Sequence, residues 1–110
     1  MIMGKIQWID SNALIPIRVE ESDKEPAWRD MQKYVGGYLE HVSVLVDGKR
    51  AHMYVNEEGL IHGLPFNPRA TEHYYAASKA RGNVRALRNN PGIVGQAILI
   101  TDIPLEGYDF

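Results

Sequence analysis

The chain has 110 residues, is 45% hydrophobic and 24% charged, and carries a formal net charge of −2. That length suits one domain with one modest core, and the composition excludes wholesale disorder and the strong positive charge of a generic nucleic-acid binder. With no cysteine there is no disulfide and no thiolate metal site.

Lys5 to Ile9 alternates as a short strand. Asp10-Ser11-Asn12 is a turn cluster, and Ala13 to Val19 reads as a second strand. Its Pro16 lacks a ladder donor, which favours a sheet edge. Ser22 or Asp23 is placed to cap a helix that starts near Pro26 and runs to about residue 35. Ala27, Trp28, Met31, Tyr34 and Val35 form its apolar stripe, and Gly36 is a natural left-handed stop.

Tyr38 to Val55 reads as a central hairpin. Asp47-Gly48 is a favoured two-residue turn, and Val42, Val44, Val46 and Ala51, Met53, Val55 mark core faces at a period of two. Asn56-Glu57-Glu58-Gly59 follows as a turn with glycine at positive φ. Asn67 caps a second helix over about 68–81, with Pro68 in its first position and Ala70, Tyr74, Ala77 and Arg81 at helical spacing. Val84 to Arg88 reads as a short helical turn. Ile93 to Thr101 is a buried last strand, and the tail from Asp102 is expected on the surface. The expected fold class is α+β: a small, mostly antiparallel sheet with a central Asp-Gly hairpin and two short helices.

Four segments occur in an order that resembles a known family. They are Gln32 to Glu40, Val55 to Gly59, Gly63 to Thr71 and Ile93 to Ala97. Together they are similar to a family of small bacteriophage and mobile-element proteins, domain of unknown function 3846, over roughly Ala13 to Ile100. The family brings no established activity. The resemblance implies an accessory protein acting in a bacterial cytoplasm, and proteins of that class often counter host defence, for instance by sequestering a cyclic nucleotide.

The residues point to binding rather than catalysis. His41, His52, His62 and His73 show no helical metal-binding spacing, although His41 and His52 could be cross-strand neighbours. Glu40, Glu57, Glu58 and Glu72 offer carboxylates with nothing to fix their geometry. No serine sits in a nucleophile elbow, and no phosphate-binding loop is present. Capping and packing account for Asn67, Pro68 and Ala70 but leave Arg69 and Thr71 over. A cation in the first turn opposes the helix dipole unless an anion binds there. Lys79, Arg81, Arg85 and Arg88 then form a basic run, opposite in charge to the acidic stretch Glu20 to Glu25.

The expected site is therefore Asn67, Arg69, Thr71, Tyr74, Tyr75, Arg81 and Arg85, taking a small anionic ligand, most concretely a nucleotide. The protein is expected to be a non-enzymatic, cytoplasmic homo-oligomer. Neither a cofactor or metal nor a membrane span is expected, since no stretch approaches the ~18 apolar residues a span needs. Two other functions compete: a module that binds a host protein through its acidic segment or an unpaired edge strand, and a metal-dependent hydrolase using Glu57, Glu58 or His73.

Overall fold

A computed structural model describes residues 3–82 and 92–105. Seven elements follow in order: β1 (Gly4–Ile9), β2 (Arg18–Ser22), α1 (Trp28–Val35), β3 (Leu39–Val46), β4 (Lys49–Asn56), α2 (Pro68–Ala80) and β5 (Ala97–Thr101). The strands form one sheet in the order β2-β1-β5-β4-β3, and every neighbouring pair is antiparallel. This is the expected α+β class. Among the described residues no helix is long and apolar enough to cross a membrane.

Alternation explains how one sheet separates two core layers, because successive strand residues point to opposite faces. On one face lie Ile6 and Trp8, Tyr54, and Ile98 and Ile100, packed with Met31 and Val35 of α1. On the other lie Ile9, Val44, Ala51, Met53, Val55, Ala97 and Leu99, packed with Ala70 of α2 and Ile93. Leu99 and Ile98 are both 0% exposed, which makes β5 the buried centre of the sheet. The β3–β4 pair therefore forms one flank of the sheet and does not occupy its centre. Val46 faces Lys49 at its end, and Asp47 and Gly48 between them have φ of 51° and 79°.

Several expected boundaries move. Residues 13–17 do not form a strand; β2 begins at Arg18 and takes in Glu20 and Glu21. The loop before it is shaped by local side-chain turns, Asn12 N–H on Asp10 Oδ1 and Leu14 N–H on Asn12 Oδ1. Such bonds compete with a ladder. Neither Ser22 nor Asp23 caps α1. Ser22 is the last residue of β2 and its hydroxyl bonds Lys24, while Ala27 occupies the N-cap position with no side-chain bond. Gly36 does end α1 in the left-handed conformation, φ 80°.

Trp28 is not core: it is 52% exposed and meets Tyr54 edge-on at 5.7 Å. Gly59 does not have positive φ; a side chain there would press on Val94 Cγ2. The last strand begins at Ala97, since Val94 only bridges Phe66 and Gly95 turns the chain at φ 76°. The tail does not simply lie on the surface either. Ile103 and Leu105 are buried against the α1 layer.

Candidate functional site

The entrance of α2 is held by a knot of hydrogen bonds. Asn67 is completely buried. Its Oδ1 accepts from Ala70 N–H, and its Nδ2 donates to the carbonyls of Ile9 and Gly95. Thr71 Oγ1 donates to Asn67 O and accepts from Ile93 N–H. Arg69 reaches outward to the loop after β1. Its guanidinium donates to Asp10 O at 2.7 Å, Ile15 O at 2.8 Å and Asn12 O at 3.0 Å. Gln96 closes the knot, accepting from Ser11 N–H and donating to Asp10 Oδ2.

Peptide oxygens thus stand where an anion was expected. A carbonyl dipole offsets the unfavourable placement of Arg69 near the helix start. Asn67, Arg69 and Thr71 join α2 to β1 and to the approach of β5.

The other predicted site residues are elsewhere. Arg69 and Arg81 stand at opposite ends of α2, about 18 Å apart along the axis at 1.5 Å per residue, and the Arg69 guanidinium is turned to the loop carbonyls. Tyr74 packs against the α2-side core, and Tyr75 is half-buried beside it, with ring centroids 6.0 Å apart. Arg85, together with Arg88 and the expected turn 84–88, lies outside the described residues.

Arg81 does line a cleft. The exposed end of α2 lies over β3, and the cleft between them, about 420 Å³, is walled by Ser43, Leu45, Arg50, Ala77, Ala80 and Arg81. Arg50 also borders a second cleft, about 270 Å³, with Lys5, Lys49, Asp47 and Asp102. Arg50 was missed in the sequence because it follows the hairpin turn and belongs to no charge run. Only the pairing of Leu45 with Arg50 puts it beside the α2 terminus.

Strand register carries this face on to a histidine pair. Ser43 lies opposite His52, and His41 opposite Tyr54. The histidines are therefore diagonal neighbours, with His41 Nε2 and His52 Nδ1 2.7 Å apart. His52 is 5% exposed and His41 is half-buried. Burial and the neighbouring His41 hold the His52 pKa down at about 4, and burial also lowers that of His41. In a neutral pair this one hydrogen bond uses one nitrogen of each ring, one as donor and the other as acceptor.

His73 Nδ1 lies 3.3 Å from Leu45 O, and His62 pairs with Glu58 on the surface. Among the described residues no three His, Cys, Asp or Glu side chains gather to hold a metal.

The model of the family described as Domain of unknown function (DUF3846) matches residues 6–109. The chain belongs to this family. Comparison with curated proteins and comparison with solved structures found no match. The four segments that carry the resemblance to DUF3846 do structural work in pairs. The Gly63–Thr71 and Ile93–Ala97 segments meet in the Asn67 knot. The Gln32–Glu40 and Val55–Gly59 segments meet at Asn56, whose Nδ2 donates to Val35 O and whose Oδ1 accepts from Glu58 N–H. These segments of the DUF3846 chain thus hold two junctions of its fold, while the Arg50–Arg81 cleft lies outside all four.

Proposed function

We propose that the protein binds a small anionic ligand, without turning it over, in the cleft between the C-terminal end of α2 and the β3–β4 pair. The observation that carries this reading is that two arginines from distant parts of the chain, Arg50 and Arg81, line one cleft with Ser43. Guanidinium groups suit phosphate because their planar donors match its oxygens. About 420 Å³ is within the usual range for a small-ligand site, and Leu45, Ala77 and Ala80 offer apolar contact for a base or sugar.

The α2 C-terminus works against an anion, since it carries partial negative charge. Lys79 and Arg81 in the last turn offset that field, so Arg50, which comes from the sheet, supplies the larger share of the attraction. The most concrete ligand is a nucleotide, and the most concrete role is a phage-encoded sponge that sequesters a cyclic nucleotide signal of host defence. A second protomer closing the open side of the cleft would strengthen such binding.

Isothermal titration with cyclic di- and trinucleotides, ADP-ribose derivatives and inorganic phosphate tests this. The expected result is saturable heat with one nucleotide, recovered intact. Arg50→Ala is expected to weaken it at least tenfold and Arg81→Ala less. Absence of heat across the panel, or binding that neither substitution changes, overturns the reading.

A further inference from the structure

A turn just after β4 holds apolar side chains out in water. Its backbone is bonded across itself, His62 N–H to Glu58 O, Gly63 N–H to Leu60 O and Leu64 N–H to Gly59 O. It is also seated from below: a methyl at Gly59 would press on Val94 Cγ2, and one at Gly95 on Leu64 Cδ1. The turn so fixed leaves Leu60 64% and Ile61 80% exposed. Tyr38, 68% exposed, stands beside it, its carbonyl accepting from Glu57 N–H. A lone exposed aliphatic is ordinary, whereas neighbouring ones beside a groove mark a binding surface.

Such a groove is present. It measures about 320 Å³, and Val55, Leu60, Ile61 and Val94 supply its apolar lining. Glu40 and Glu57 line it too, and both are exposed. Among the described residues no lysine or arginine lines the groove, and neither glutamate has an ion-pair partner. The neighbouring Glu58 is different, since it pairs with His62 at 3.1 Å. Two carboxylates beside an apolar hollow attract a cation more strongly than they would in open water.

We infer that this groove docks a segment of a partner protein in which an apolar side chain is flanked by lysine or arginine. The apolar side chain fills the hollow against Leu60, Ile61 and Val94, and the flanking cations meet Glu40 and Glu57. Complementary charge of this kind selects the partner and speeds its approach, while the apolar anchor holds it. A second copy of the chain is disfavoured, because docking groove to groove about a two-fold axis brings the same carboxylates together. This inference is independent of the anion-binding cleft. Glu40 lies opposite Val55 and Leu45 opposite Arg50, so groove and cleft belong to opposite ends of the β3–β4 pair.

The test titrates the full chain with a short peptide in which two leucines are flanked by lysines, followed by amide NMR. Saturable shifts centred on Glu40, Val55 to Ile61 and Val94 are expected. Replacing the lysines by glutamates, or the leucines by serines, should each weaken binding about tenfold or more. Ile61→Ser and Glu57→Lys, both at exposed positions, should each weaken the lysine–leucine peptide about fivefold or more while leaving the thermal midpoint unchanged. Amides of 55–61 that stay unmoved at millimolar peptide overturn the inference. So do equal binding of the glutamate peptide and shifts that centre instead on the acidic run Glu20 to Glu25. Concentration-dependent dimerisation that Ile61→Ser abolishes would identify a second copy as the occupant and also overturn it.

Discussion

His41 Nε2 and His52 Nδ1 face each other at 2.7 Å across β3 and β4. One ring must donate and the other accept, which two neutral rings allow and two charged rings do not. The His52 pKa of about 4 in the fold lies below its ordinary 6.5. The unfolded chain therefore takes up a proton below pH 6.5 that the folded chain refuses until about pH 4. This contribution to stability is present above pH 6.5, falls as pH drops from 6.5 to 4, and is flat below that. Its total is at most about 3.5 kcal/mol, at about 1.4 kcal/mol per pH unit. Urea melts at pH 7 and pH 4.5 should show the loss, and His52→Gln should reduce the difference between them.

Arg69 is expected to matter for stability rather than ligand affinity. Arg69→Ala removes three bonds to loop carbonyls. The loop is exposed, so water recovers part of the loss and the cost is about 2 kcal/mol. Limited proteolysis should then cut faster within 10–17. Arg69→Lys should rescue little, because one ammonium cannot span the three carbonyls as the planar fork does.

Asn67→Ala should be costlier. It removes the cap of α2 and leaves the carbonyls of Ile9 and Gly95 without this donor in the buried interior. The expected loss is about 3 kcal/mol or more, read as a lower urea midpoint with an unchanged slope.

Two glycines should respond in different ways to alanine. At Gly4 an added methyl would overlap Thr101 O and Ile103 Cγ1, so Gly4→Ala must push β1 from β5 and should be severe in a thermal melt. At Gly36, φ is 80° and the space around it is open. Gly36→Ala should cost only about 1 kcal/mol, the strain of a left-handed alanine.

Legibility in the sequence followed the range of the interactions. Local chemistry was readable: the Asn67 cap, Pro68 in the first turn of α2, the Gly36 stop and the alternation of β4. The β2 boundary was not, because side-chain turns in the loop and pairing with β1 outweigh the β-formers at 13–17. Arg69 looked unexplained because its partners are carbonyls more than fifty positions away in the chain, and carbonyls leave no mark in a residue pattern. Arg50 was invisible for the converse reason: only register and the path of α2 bring it to Arg81.

The position of β5 also bears on how the chain is made. During synthesis the β1–β2 and β3–β4 ribbons can each form early, and isolated two-stranded ribbons are marginal in water. The strand that joins them is the last of the five to leave the ribosome. Until Ala97–Thr101 emerges, both inner edges stand open at once, which is when the nascent chain is most exposed to pairing with a neighbour.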